Sequence, residues 1–494
     1  ISSFNNALYS VSSILKSGID ADNPLDINFT SAGYDGSTDG EIMTVADYWI
    51  WKYTSQPDAY ANWQHIRSTG EIKPGEGYTM KGTGAGIQNY VFTGKPTNGT
   101  IQHTINGGDI YLLGNPYASA LDANQFIDDN VIAVDDEGDI ATGVGASNGA
   151  LYFWEHFTTN NSHILAQYEG GYATYNKLGG VIAVADAGVS SNGTASIRPG
   201  RYVPVGQGFF VKATPEGGVV EFNNAQRVFK IESAVSDPYN IESSIFTRNS
   251  NTNISTESPD IEENITLSIQ RLYFKFTNAD GFQRELLLGI KEGLADGLNY
   301  GYDAMLLDNF ISDCSWLLNQ QSEENLVIQG IGSVYDNLQL PLHIKADKTG
   351  NFKFEVIDLS DIDSSTSVYL YDKELDSSFP LEAGVPVEFY LEEGEYSDRF
   401  KVVFKVAKIE EVVIVPENII TADNLVVFYN TKTQSIDITN TTQFSAKNIA
   451  IHNVLGQQVV KMTTEFKDQN LITIPVSLAT GAYVITFDYD NKRQ

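Results

Sequence analysis

The residues best equipped for chemistry in this chain are its acids. Asp135-Asp136-Glu137-Gly138-Asp139 sets four carboxylates around a glycine turn. Clustered oxygen ligands of this kind suit a hard cation, and calcium is the ion they would hold. The spacing departs from an EF-hand loop: with Asp135 at its first position, the sixth is Ile140, where glycine is needed. A solvated acidic turn is therefore the plainer reading of Asp135, Asp136, Glu137 and Asp139, and a calcium site the sharper one. The remaining acids give no signal. With 63 Asp and Glu, carboxylate pairs of the kind a glycosidase uses arise by chance.

Other reactive types are sparse. Six histidines are present, none in the His-Glu-x-x-His spacing of a zinc hydrolase; Glu155-His156 with His163 comes nearest, as a two-histidine site across a hairpin. Gly145-Ala146-Ser147-Asn148-Gly149 has the letters of a nucleophile elbow. Its flanks predict a loop before and a strand after, whereas the elbow joins a strand to a helix. Gly82-Thr83-Gly84-Ala85-Gly86 and Gly143-Val144-Gly145-Ala146 lack the Gly-Lys-Ser/Thr of a phosphate loop and read as turns. Trp49, Trp51 and Trp154 offer aromatic faces that can stack on sugar rings. On a strand Trp49 and Trp51 would share a face, although core packing is the commoner use of large aromatics. No catalytic or cofactor-binding residue is assigned, and a non-enzymatic protein is expected.

The elements that must position these residues are strands. Tyr 26 and Phe 25 against Met 4 fit pleated faces, and Gly 42 supplies many turns. At 494 residues with 42% hydrophobic content, about three domains with real cores are expected. The net charge of −32 argues against nucleic acid as a partner and against adsorption to anionic lipid. The single cysteine, Cys314, excludes an internal disulfide and reads as a buried free thiol. No apolar run is long enough to span a membrane, so no membrane insertion is expected. No signal peptide is read, and Ile1 opens within a pattern, so a processed or truncated chain is expected.

The organisation expected is a Gly- and aromatic-rich β region at 1–232, a linker at 233–262 rich in Ser, Asn and Thr, a β-sandwich at 263–407, a connection at 408–424 and a small β-sandwich at 425–494. Within the first region Pro74-Gly75-Glu76-Gly77-Tyr78-Thr79-Met80-Lys81 returns as Pro204-Val205-Gly206-Gln207-Gly208-Phe209-Phe210-Val211-Lys212. Aromatic runs, Tyr48–Trp51 and Leu151–Trp154, precede the two copies. A duplicated β unit is expected, with the prolines out of step by one. Helix signals are few: Val45–Trp51 reads as strand or short helix, and Ala120–Asp129 as one or two helical turns.

The C-terminal stretch carries two motifs in order: Asn453-Val454-Leu455-Gly456-Gln457-Gln458-Val459 and Leu478-Ala479-Thr480-Gly481-Ala482-Tyr483-Val484-Ile485. They resemble the type A C-terminal sorting domain of the type IX secretion system of Bacteroidetes. That resemblance implies an immunoglobulin-like sandwich acting as an address, with Asn453, Leu455, Gly456, Val459, Leu478, Gly481 and Tyr483 as its signal. It implies the outer-membrane secretion machinery as a partner, and a place on the cell surface or outside the cell. The family's Lys-containing final strand is expected to be missing or cut short, which would leave an open sheet edge. Upstream, Gly114-Asn115-Pro116-Tyr117 resembles segments of large secreted Bacteroidetes proteins. Val368–Asp372 with Gly394–Phe400 resembles the module that often precedes the sorting domain. The function expected is a structural or adhesive surface protein, with copies of itself or surface glycans as partners; a glycan-binding protein and a secreted hydrolase without a readable motif remain as alternatives.

Overall fold

The computed structural model describes residues 9–18, 25–39, 42–83, 89–131, 145–157, 164, 167–185, 195, 197–230, 269–308, 310–318, 324–359, 362–363, 365–406, 425–430, 433–440, 446–453, 456–466, 471–478, 483–489 and 492–493. Strands make up 52% of the structure and helices 7%, so the protein is all-β, as its aromatic and glycine content predicts. The chain forms two compact units, Ile1–Ala407 and Lys408–Gln494.

In the first unit the buried strand Ile110–Gly114 is where the two Gly-x-Gly segments meet. One edge pairs antiparallel with Gly208–Ala213, Gly114 opposite Gly208 and Leu113 opposite Phe209. At the other edge Gly77 N donates to Leu112 O (2.9 Å), Gly114 N to Gly75 O (3.1 Å) and Leu112 N to Tyr53 O (2.8 Å). Each segment enters through the same kind of turn. Glu76 N donates to Lys73 O and Gln207 N to Pro204 O. The third residue of each turn, Gly75 or Gly206, has φ of 81° or 77°. A turn with positive φ at that position selects glycine. Proline occupies the second position in one copy and the first in the other, so the prolines fall out of step by one while the glycines align.

The correspondence extends outward. Ile72 bridges to Tyr9, two residues before the helix Val11–Ile14, and Val203 pairs with Leu121, two residues before the helix Ala123–Asn130. The strand after each segment, Asn89–Phe92 or Gly218–Phe222, pairs with Leu15–Gly18 or Ile101–Ile105. The order differs: that partner strand follows the helix in the first copy and precedes it in the second. The second helix is held at its start by Asp122, whose side chain accepts from Asn124 N (3.0 Å) and Gln125 N (3.4 Å) and receives the Arg201 guanidinium.

From Gln270 onward the same unit builds a 12-stranded sheet, ten of whose strands form a path with Ser377–Pro380 and Val387–Leu391 at its ends. The strand Gln339–Ala346 turns the path back on itself: Gln339–Pro341 pair with Lys401–Val403, and Leu342–Lys345 with Asp313–Trp316. The result is a sandwich closed on Phe274, Trp316, Phe352, Phe354, Leu370 and Phe404. Cys314 is buried and free there, and burial pushes its thiol up. Asp372 holds the Arg399 guanidinium through two hydrogen bonds (3.0 and 2.8 Å), joining Val368–Asp372 to Gly394–Phe400.

The segments 1–232 and 263–407 share one hydrophobic core. Tyr53, Leu112, Tyr152, Leu178 and Phe210 of the first belong to the same buried cluster as Leu287, Ile328 and Phe352 of the second. Leu178 stands at the tip of the hairpin joining Gly170–Asn176 to Gly179–Val181, yet it is fully buried. A Cβ on Gly289 would come within 2.5 Å of Leu178 Cδ1, and one on Gly330 within 3.3 Å. Arg271 donates to Leu178 O, Lys177 N to Gly301 O (3.0 Å) and Gly301 N to Asn148 O (3.0 Å). Arg198 forms a buried ion pair with Glu285. Burial pushes the Glu285 carboxyl up despite that guanidinium.

The second unit is a small sandwich. One sheet has the order Leu425–Asn430, Ser435–Asn440, Leu471–Pro475; the other runs Gln458–Phe466, Ala446–Asn453, Tyr483–Tyr489, Lys492–Arg493. Its core is Ile436, Ile438, Ile449, Ile451, Ile472 and Ile474. Alternate residues of Leu471–Pro475 are buried and exposed, the period a two-layer sheet demands. Lys492–Arg493 adds a two-residue strand beside Asp488 and Tyr489.

Removing the Leu178 wedge empties the space over two glycines that cannot fill it. Leu178→Ala is expected to lower unfolding free energy by about 2–5 kcal/mol in a denaturant titration. Asp303 sits beside this contact, accepting from Gly330 N and Asn299 N (both 2.6 Å). Burial pushes its carboxyl up to about 6, against those hydrogen bonds. The folded state thus holds the proton more tightly than the unfolded chain, whose carboxyl titrates near ~3.9. Stability from this group is full below that value and is lost as pH rises through about 6. Relative to Asp303→Asn, the wild type is expected to lose on the order of 2–3 kcal/mol across that window in urea titrations.

Candidate functional site

Asp47 organises the aromatic run that precedes the first Gly-x-Gly segment. Nearly fully buried, its carboxylate accepts from Ser31 Oγ (3.0 Å), Arg67 Nη1 (2.9 Å) and Ser68 Oγ (3.3 Å). Ile50 N donates back to Asp47 O, closing a 3₁₀ turn over Asp47–Trp49 between the strands Ile42–Ala46 and Trp51–Lys52. Both sequence readings of this run are thereby partly met. The expected shared strand face of Trp49 and Trp51 is not formed, because the turn rotates Trp49 out of the strand.

The turn instead gathers rings. Tyr48 contacts Trp49 (5.1 Å between centroids), Trp51 (6.0 Å) and Tyr34 (4.7 Å), all edge-on. Trp49 Nε1 donates to Tyr34 O (2.8 Å), and the Lys81 ammonium lies 5.3 Å from the Trp49 ring. Burial lowers the Lys81 pKa, and Asp35 opposes that shift. Trp51 stacks on His65 at 4.0 Å, nearly parallel, so one of its faces is taken by the protein. Tyr34 is 51% exposed and Tyr48, Trp49 and Trp51 are half-buried, so solvent reaches part of this cluster. Tyr34, His65 and Lys81 carried no signal in sequence; only the fold brings them to the Tyr48–Trp51 run.

Trp154 belongs to another group. It stacks on Tyr168 (6.0 Å, 10°) and meets Tyr172 edge-on, with His156 against Tyr168. The acidic turn Asp135, Asp136, Glu137 and Asp139 lies outside the described residues, as does His163. Among the described residues no group of three or more His, Cys, Asp or Glu is placed to hold a metal ion. Ser147 begins the strand Ser147–His156, is buried, and accepts from Gly149 N (3.0 Å), so it is no exposed elbow. His103 is also internal: its Nε2 donates to Pro74 O (2.9 Å), and burial lowers its pKa. Nearby Glu76 binds Tyr111 Oη (3.0 Å), Lys73 N (2.8 Å) and Lys52 Nζ (3.2 Å), acting as a buried tie rather than an acid facing a cavity.

The C-terminal motifs fall at defined places in the small sandwich. Asn453 and Gln457 close the hairpin between Ala446–Asn453 and Gln458–Phe466: Asn453 N donates to Gln457 O (2.9 Å), and Gln457 N to Asn453 Oδ1 (3.0 Å). Gly456 has φ of 77°, the left-handed residue of such a loop. Val459 is 46% exposed, while Leu478 and Tyr483 are half-buried against the isoleucine core. Leu455 and Gly481 lie outside the described residues.

These features define an all-β chain with a β-sandwich core and a compact C-terminal unit, carrying a partly exposed aromatic cluster. Residues 35–404, most of the chain, match the model of a family described as Domain of unknown function (DUF8693), and the chain belongs to that family. No curated protein and no solved structure matches it.

Beyond its own chain neighbours nothing lies within 4 Å of a Cβ built on Gly456, so a side chain there would cost conformational energy alone. Gly456→Val is expected to destabilise the second unit by about 1–3 kcal/mol. Gly456→Asn should recover most of that, because asparagine tolerates positive φ; thermal melts of the three proteins check this.

Proposed function

We propose that this protein is exported to the cell surface or the medium through its C-terminal unit, read as a type IX sorting domain, and that it works there by binding rather than by catalysis. The observation that carries the export reading is the autonomy of Lys408–Gln494, with its own isoleucine core and a hairpin built by Asn453, Gly456 and Gln457 themselves. A sorting address has to fold independently of its cargo. The adhesive reading draws on the first unit. Its buried ionisable groups form ties between elements: Arg284 with Asp308 and Asp313, Arg198 with Glu285, Arg399 with Asp372. Such ties build a rigid scaffold.

A glycan is the second reading of what is bound. Tyr34, Tyr48 and Trp49 favour it, since partly exposed rings stack on the apolar faces of sugars while Trp49 is fixed by its bond to Tyr34 O. Both readings are tested in a bacterium that carries the type IX apparatus. Removing Lys408–Gln494 should leave a folded first unit in the periplasm, whereas the whole chain reaches the surface by protease shaving. On a glycan array the whole chain should bind, and Tyr34→Ala and Trp49→Ala should each weaken binding several-fold, as expected for loss of a stacking contact worth about 1 kcal/mol. Surface delivery of the deleted chain would overturn the export reading; array signals untouched by either substitution would overturn the glycan reading.

A further inference from the structure

The ten-strand path through the 12-stranded sheet of the first unit ends in two edges that are unpaired among the described residues, and both line the same crevice. Ser377–Pro380 and Val387–Leu391 are consecutive in sequence but stand at opposite ends of the path, each with one strand neighbour. A cavity of about 250 Å³ lies between them, lined by Leu370, Phe379, Val387, Phe389 and Phe400. Phe389 of one edge strand meets Phe400 of the facing sheet at 4.8 Å, so the crevice opens onto the sandwich core. Its surroundings expose large apolar side chains: Leu375 is 59% exposed, Val385 52% and Tyr390 61%.

The two edges are not equivalent. Pro380 lacks an N–H, which blunts the shorter strand. Val387–Leu391 has five residues and no proline, and alternates half-buried Val387 and Phe389 with exposed Glu388 and Tyr390. A strand added beside it would place alternate side chains in the crevice and the others beside Glu388 and Tyr390. The charge on these segments is predominantly acidic: Glu374, Asp376, Glu382, Glu392 and Glu393 are exposed on the stretches flanking the two edge strands, whereas Arg399, which lines the crevice, pairs with Asp372 and Glu374, and Lys353 and Lys373 pair with Glu388 and Asp398.

We propose that Val387–Leu391 is a docking edge for an extended basic peptide segment of a partner, which adds as a strand, sets an apolar side chain into the crevice and turns Lys or Arg toward the acidic surroundings. Main-chain pairing gives such an interaction its affinity, and the crevice and charge give it selectivity. This edge is distinct from the aromatic cluster, and its test does not depend on export or on glycan.

The probe is the capped peptide Lys-Val-Lys-Phe-Lys-Val-Lys, titrated into the full chain by fluorescence anisotropy with hydrogen exchange alongside. The expected result is saturable, salt-sensitive binding with new amide protection across Val387–Leu391. Glu388→Lys, a change at an exposed side chain, should weaken binding about fivefold or more. N-methylation of alternate peptide residues should abolish it in at least one register, because the ladder is then broken. No binding at about millimolar peptide, where even weak recognition registers, would overturn the proposal. So would equal binding of the all-Glu counterpart, indifference to N-methylation, or protection elsewhere. Concentration-dependent dimerisation that protects the same edge without peptide would assign it to a second copy of the chain instead.

Discussion

The contact on which the first unit depends is the burial of Leu178 against Gly289 and Gly330. A hairpin tip is normally given to water, because its backbone groups need solvent. Here the tip has protein partners: Arg271 donates to Leu178 O, Leu178 N donates to Asn176 Oδ1, and Gly301 O takes the Lys177 N–H. With those groups paired, the leucine side chain can leave water without leaving a polar group stranded. The glycines beneath it are required by space rather than by dihedral angle, since a Cβ on Gly289 would collide with Leu178 and one on Gly330 would collide with Leu294 and crowd Leu178.

That contact explains why polar chemistry in this unit runs to ties. Arg198 reaches Glu285, Tyr152 Oη donates to Met305 O (3.1 Å), and the Lys177 ammonium lies 4.6 Å from the Tyr302 ring. Each joins the Gly- and aromatic-rich part to the sandwich that follows it in sequence. Buried charges are tolerated only when paired and hydrogen-bonded, so every such tie also fixes relative position. The binding surfaces proposed above are what such a scaffold can display: a ring cluster held from beneath by Asp47, and a free sheet edge at the end of a folded path.

The second unit follows a simpler logic. Six isoleucines on alternating strand positions supply its core, and the Asn453 side chain ties Gln457 at the hairpin between Ala446–Asn453 and Gln458–Phe466. Asparagine and glycine in that hairpin are explained by local geometry alone. Val459 is not explained that way: it is 46% exposed, and its packing among the described residues does not call for valine.

The sequence by itself determined the class of fold, since alternation and turn chemistry are local and the strand period of two can be read directly. The glycines at Gly75, Gly206 and Gly456 answer to equally local geometry, because positive φ is a property of the turn. Only the tertiary structure decided that Leu178 is core, that the regions at 1–232 and 263–407 pack within one unit, and that Tyr34, His65 and Lys81 join the Tyr48–Trp51 run. It also decided that Trp49 leaves the strand, through a carboxylate at Asp47 whose partners lie up to 21 residues away. These outcomes rest on contacts between residues distant in the chain, and neither periodicity nor local propensity carries information about which distant surface a side chain will meet.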